Sequence, residues 1–267
     1  MRMTLLANTI DCLDWIRIET RLDSEGYALL PGLLSAAQSQ ALMNTISGQS
    51  NNQMNGLTNG LTLRRITLTD NDPGRGQLFF FNNQLPEVLA TLRAQLYRHL
   101  MPIANHWNHV LNIGYRYPDT LDGFLQSNCQ AGQERQLSHL HRLKASDYLA
   151  LHQWSDGELV FPLQVLIQLT EPERDFSGGQ WVMTEQRPRM QSRPIVLSLH
   201  QGDVAIICTA RRPIKGSQGF YRVNMKHAIS RVRGGQRIGL ELFFHHAPGS
   251  DQKETHEQAT LLDLDRP

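Results

Sequence analysis

Two histidines and an arginine stand at spacings that suit chemistry. His152 closes the run YLALH, His227 follows 75 residues later in RVNMKHAISRVR, and Arg237 comes ten residues after that in GGQRIGLELFF. Two imidazoles and one carboxylate on a single face of a first-row metal leave positions open for other ligands. A strand presents residues i and i+2 on one side, about 7 Å apart, so it can supply two ligands while a later strand across the fold supplies the third. An arginine nearby can grip the far carboxylate of an organic acid through a bidentate pair. His139 and His141 repeat the i, i+2 spacing and would share one side of a strand. A packing or surface role is the expectation for them, with a replacement metal site beside His152 as the alternative. His245 and His246 are expected to be strand-terminal or exposed.

The elements that must position these residues fall into two halves. The first half reads mainly helical. A short strand is expected at 27–30, and Ser35 has the chemistry of an N-cap for a helix to about Ile46. The polar, Gly/Asn-rich stretch 47–60 reads as a loop. LTLRRITL and GQLFFF form a candidate strand pair joined by NDPGRG. A long helix begins near Pro86, with Leu85, Val88, Leu89, Leu92, Leu96, Leu100, Ile103, Trp107 and Val110 at helical spacing. After about residue 136, short Val/Ile/Leu/Phe runs alternate with turn signals. Strands are expected near 138–144, 148–153, 159–169, 180–184, 195–199, 203–208, 221–229 and 236–244. Such spacing predicts a double-sheet roll braced on one face by the helical half.

Composition bounds the rest. The chain has 267 residues, 40% of them hydrophobic and 19% charged, which suits one large globular domain: helical support and cap at 1–136, β core at 137–247, tail at 248–267. A formal charge of +1 gives no general pull toward nucleic acid or anionic membrane. No apolar run reaches ~18 residues, and the N-terminus lacks the pattern of a secretory leader. Three widely spaced cysteines, Cys12, Cys129 and Cys208, read as reduced thiols in a cytoplasmic setting. The partner expected is a small-molecule substrate, with no nucleic acid and no membrane.

The run GELVFPLQVLIQLTEPERDFSGGQWVMTEQRPRMQSR, with QGDVAI, GFYRVNMKHAISRVR and the FFHHA ending, resembles bacterial 2-oxoglutarate/iron(II) oxygenases of the prolyl-hydroxylase-like type. EGYALLPGLL and PIANHWN extend the resemblance over nearly the whole chain. It implies a mainly β fold, a double-stranded β-helix of the jelly-roll or cupin kind with N-terminal helices. It also implies iron(II) and 2-oxoglutarate as cofactors and dioxygenase activity. His152 and His227 then fall on metal-ligand positions, facing each other across the roll, and Arg237 falls on the position that holds 2-oxoglutarate.

The departures cluster at the chemistry. Two residues after the first histidine the family pattern has Asp, and this chain has Trp154. Upstream, LKASDYL stands where the pattern has Tyr-Gly-Pro-Gly-Asp-Trp-Asn, placing Leu143 at the tyrosine and Leu149 at the asparagine. An indole has one N–H donor and no lone pair for a metal. Asp156 is the candidate substitute carboxylate. On a straight strand it would lie about 13 Å from His152, so it serves only if the turn Ser155-Asp156-Gly157 folds it back; otherwise it makes an Asx-type turn. Three readings stay open: an oxygenase with an altered ligand set, an enzyme that reuses the pocket without iron or 2-oxoglutarate, and an inactive pseudo-oxygenase that binds or scaffolds.

Overall fold

The computed structural model describes residues 2–47, 63–69, 71–82 and 84–249. Of the loop expected at 47–60, Ser47 ends a helix and the rest lies outside them, as do all but the first two residues of the expected tail.

Two short helices open the chain, α1 (Arg2–Asp11) and α2 (Trp15–Glu25). Asp14 caps α2 by accepting from the Arg17 N–H at 3.0 Å, and Gly26 ends it at φ 77°, a left-handed value that favours glycine. Strand β1 (Tyr27–Leu30) follows, then α3 (Ala36–Ser47). Ser35 caps α3 reciprocally: its Oγ accepts from the Gln38 N–H, while the Gln38 Oε1 accepts from the Ser35 N–H at 2.8 Å. The predicted hairpin forms as β2 (Leu63–Leu68) and β3 (Gly74–Phe81). The long helix is α4 (Glu87–Val110), and Leu89, Leu92, Leu96, Leu100, Ile103 and Trp107 are buried along its predicted face. A further helix, α5 (Leu121–Gln130), is capped by Thr120 and was not read from sequence.

The β half runs β4 (Gln133–Gln136), β5 (His139–Lys144), β6 (Tyr148–His152), β7 (Leu163–Gln168), β8 (Phe176–Gly178), β9 (Trp181–Gln186), β10 (Arg193–Leu197), β11 (Val204–Cys208), β12 (Arg211–Gly216), β13 (Gly219–Ile229), β14 (Val232–Leu242) and β15 (His246–Pro248). All eight predicted strands are present with shifted ends. β12 is an additional strand that contains Pro213. It pairs with β13 alone, so a residue without an N–H does not interrupt a ladder.

One sheet runs β1-β11-β7-β14-β5-β3-β2 and the other β6-β13-β9-β10, with β3 reaching both by pairing β5 at 77–80 and β6 at Gly74 and Arg75. This is a double-stranded β-helix: mainly antiparallel strands rolled so that two sheets enclose a common interior, with helices outside. β7 and β11 are buried along their whole length, as strands covered on both faces must be. All three cysteines are free thiols, with only Cys208 buried. No described helix is long and apolar enough to cross a membrane.

Candidate metal centre

The site grows from two cross-strand pairs that face one another inside the roll. On the second sheet, His152 at the end of β6 is the register partner of His227 on β13, and their ring centroids lie 4.2 Å apart. On the first sheet, Glu241 of β14 is the register partner of His139 of β5. The sequence reading set the two histidines across the roll from one another. They are instead neighbours within one sheet, and what faces them across the interior is Glu241 with His139.

Glu241 is the carboxylate that stands beside the two histidines, and the sequence reading does not single it out. One ligand atom each of His152, His227 and Glu241 lies within 4.8 Å of the others. The His227 Nε2 is 2.9 Å from Glu241 Oε2, and the Gln164 side-chain amide donates to the same oxygen at 3.1 Å. Glu241 Oε1 has no hydrogen-bond partner, although His152 Nε2 stands 3.7 Å away and His139 Nε2 3.9 Å away. Both separations are too long for hydrogen bonds. Asp156, the substitute carboxylate expected from sequence, is exposed beyond the end of β6 and is not in this group. The turn carries it outward because only residues that keep the strand's alternation stay on the inner face. A signal for Glu241 existed: one carboxylate inside the apolar run IGLELFF, four residues from Arg237 and therefore on the same face.

Electrostatics keep the cluster poised. Burial alone would raise the Glu241 carboxyl. The His227 charge and hydrogen bond, with the His152 imidazole close by, outweigh it and hold the group well below its usual range. Burial pushes His139 and His227 down. His152 is raised, because burial is outweighed by Glu241. The tautomers of His139 and His152 are set the same way: each Nδ1 lies 2.7–2.8 Å from a backbone carbonyl two residues earlier, Leu137 and Ala150 respectively. An Nδ1–H donated there leaves each Nε2 lone pair directed at Glu241.

Two layers further along β14, Arg237 is fully buried beside Leu143, its register partner on β5. Its Nε donates to Gly179 O at 2.7 Å and its Nη2 to Gln168 Oε1 at 2.8 Å, while Nη1 lies 3.2 Å from His141 Nδ1. The Trp181 ring lies under the guanidinium at 4.6 Å. Burial lowers Arg237 to about 9, and burial and then Arg237 hold His141 well below its usual range. No described carboxylate forms an ion pair with Arg237. Between Arg237 and Glu241 lies Gly239, opposite His141; a Cβ at Gly239 would fall 2.4 Å from the His141 ring. The ring fills the space that the glycine leaves. His139 and His141 are thus fully buried, which removes the surface role expected for them.

Trp154 is half-buried, with ring centroids 5.4 Å from His139, 5.8 Å from His152 and 5.9 Å from Phe80. It walls the cluster beside His139 and does not lie between His152 and His227. His245, expected at a strand end or exposed, is fully buried with its Nε2 3.1 Å from Trp154 O. Leu149 is buried on β6.

Residues 76–247 match the model of a family described as an oxygenase catalysing oxidative methylation of damaged DNA. Two uncharacterized proteins of Mycobacterium tuberculosis, from strains CDC 1551 and H37Rv, are each 40% identical over 173 residues, 65% of this chain and 74% of theirs. Among solved structures, the non-heme alpha-ketoglutarate-dependent epimerase SnoN from nogalamycin biosynthesis is similar in fold, with TM-score 0.50, 12% identity, and 94% of this chain and 93% of that one covered. A 2OG-Fe(II) oxygenase family oxidoreductase from Burkholderia pseudomallei matches with TM-score 0.49, 16% identity, and 89% and 94% coverage. With well over half of its length on the family model, this chain belongs to that oxygenase family.

Proposed function

We propose that this protein is an iron(II) oxygenase whose ligand set is His152, His227 and Glu241, with 2-oxoglutarate as cosubstrate on Arg237. One observation carries the reading: Glu241 is fully buried, meets no lysine or arginine among the described residues, and keeps one oxygen without a hydrogen bond while imidazole nitrogens surround it. A buried anion whose neighbours are imidazoles, which can lose their charge, and not lysine or arginine fits a cation, and imidazole with carboxylate is the donor set that suits iron(II). On this reading Trp154 stands at the position of the usual carboxylate, and Glu241 takes over that role from the facing sheet.

When bound, the metal supplies oxygen activation, so that substrate C–H becomes C–OH while 2-oxoglutarate and dioxygen become succinate and carbon dioxide. The chain's own residues orient and exclude. The backbone carbonyls of Leu137 and Ala150 aim two imidazoles, and Gln164 orients the Glu241 carboxylate. Arg237 offers a buried cation whose acceptors are all neutral, which suits the far carboxylate of the cosubstrate. The neutral His141 ring must leave Nη1 to admit it. His152 alone of the three ligands has solvent exposure, 19% for its side chain, so substrate approaches from the end of β6 past Trp154.

The substrate class proposed is a small molecule. A damaged base in DNA is the second reading, carried by the family description. The test is an anaerobic titration of metal-free protein with iron(II) and 2-oxoglutarate, read by the visible absorption of the chelated pair. A saturating band that disappears in Glu241→Gln and persists in Asp156→Asn supports the reading. Absence of metal uptake in the wild type sinks it and leaves a pseudo-oxygenase that binds or scaffolds.

A further inference from the structure

His139 stands out among the residues that the ligand set above does not use. We propose that it is a fourth protein ligand, giving a centre of three imidazoles and one carboxylate. The inference rests on metal binding at His152, His227 and Glu241 and adds to it.

Three observations carry it. First, His139 and Glu241 are directly opposed on adjacent strands and neither is exposed to solvent, so the His139 ring borders the cluster and not the surface. Second, the ring is anchored as the His152 ring is: Nδ1 meets a backbone carbonyl at 2.8 Å, and Nε2 is buried without any partner. An inert core histidine satisfies both nitrogens. Third, the Nε2 atoms of His139 and His152 flank the same unpartnered Glu241 oxygen at 3.9 and 3.7 Å. Metal–nitrogen and metal–oxygen bonds of about 2.0–2.2 Å place two donors on one ion no more than about 4.4 Å apart. Both separations satisfy that limit, and neither makes a hydrogen bond. His139 lies outside the mutually close trio, so at least one of its separations exceeds that limit and its ring has to move toward the ion from the Glu241 side to share it. Phe80, at 4.7 Å between ring centroids, and Trp154, at 5.4 Å, bound the slot in which it moves.

The consequence concerns ligand class. Four protein donors leave two positions on a six-coordinate ion. A single chelating molecule with two oxygen donors fills both. In this state 2-oxoglutarate and dioxygen cannot share the metal, so cosubstrate use requires His139 to withdraw. The centre with His139 bound therefore takes a bidentate oxygen ligand.

Full-length, metal-free wild type, His139→Leu and His139→Gln would be loaded with Cu(II) for pulsed EPR, which counts coordinated imidazoles. Co(II) affinity would be measured by competition with a chelator. Expected are three imidazoles in the wild type, two in both variants, and Co(II) binding weaker by about tenfold or more. Circular dichroism of the metal-free proteins separates a lost ligand from a lost fold, and the glutamine variant preserves a polar group if leucine does not fold. Two imidazoles in every protein with unchanged Co(II) affinity would overturn the role of His139 alone. A wild type that takes up neither metal would overturn the whole metal reading, so the two failures are distinct.

Discussion

The interior holds two buried glutamates that face opposite fates. Glu185 on β9 is 3% exposed and is held by two arginines: Arg212 pairs with Oε2 and Arg187 Nε donates to Oε1 at 2.8 Å. Arg212 in turn donates to the carbonyls of Asp23 and Ser24, fastening the end of α2 to the second sheet. Glu241 on β14 is 0% exposed and has no arginine or lysine partner among the described residues, only imidazoles and the Gln164 amide, and one oxygen without a hydrogen bond. In both, burial would raise the carboxyl and neighbours outweigh it, Arg187 and Arg212 for one and the histidines for the other. The difference lies in permanence. Arginine stays charged at any working pH, so Glu185 is balanced once and for all. Imidazole can be neutral, so Glu241 is balanced by a partner that can come and go.

The comparison breaks most visibly at Glu185. Glu185→Ala strands the Arg212 charge in the interior, and an unpaired buried charge costs about 3–5 kcal/mol. Urea unfolding should show that loss equally with and without metal. Glu241→Gln should do the reverse. It removes a buried charge that has no permanent counterion and strands no arginine, so the metal-free protein loses less than Glu185→Ala does. Metal affinity instead falls by about 100-fold or more in chelator competition, because an anionic ligand has gone. If both variants lost stability alike and neither changed metal uptake, Glu241 would be a second structural carboxylate.

How each glutamate could be found in the sequence differs too. The inward placement of His152, His227 and Arg237 was legible because their motifs surround them and strand alternation keeps them on inner faces. Glu241 was not, because the local pattern offers only Asp156 as a nearby carboxylate after His152, and the carboxylate that stands beside the histidines comes from a strand 89 residues later in sequence that is near only in space. Pairing partners are long-range facts: His139 opposite Glu241 and His152 opposite His227 are set by register, which no local pattern records. The roll and its eight core strands were legible from turn chemistry and apolar runs. β12 escaped because Pro213 argues against a central strand and gives no clue to an edge. α5 escaped because ten residues with one buried aromatic, Phe124, carry little periodicity.

A smaller perturbation tests how Arg237 is coupled to the metal layer. Gly239→Ala would place a methyl 2.4 Å from His141 Cε1 and 3.1 Å from the Arg237 Nη1. The buried ring must shift, at a cost of about 1–3 kcal/mol for overpacking. Thermal unfolding should report that cost. Because the shift pushes on Arg237 and not on Glu241, 2-oxoglutarate binding should weaken more than Co(II) binding. Equal losses would mean that the two layers move together.

The smallest effect is a pH dependence, and it sharpens the contrast by sign and by metal. Glu185 is held below its ordinary value of 4.5 in the folded protein, so the unfolded chain binds more protons as pH falls through that range. Its contribution to stability is therefore fully present above about 4.5 and is lost as pH drops toward and through the depressed folded value. Glu241, also depressed, contributes with the same sign. Urea midpoints from pH 6 to pH 3 should fall less steeply in Glu185→Gln than in the wild type. Added Co(II) separates the two groups. It must leave the Glu185 contribution untouched, because no metal donor adjoins that pair, and it must steepen the acid loss that depends on Glu241, because protons then compete with the ion for the same carboxylate. A Co(II) effect on the acid slope that survives in Glu241→Gln would place the ion somewhere other than between the two sheets.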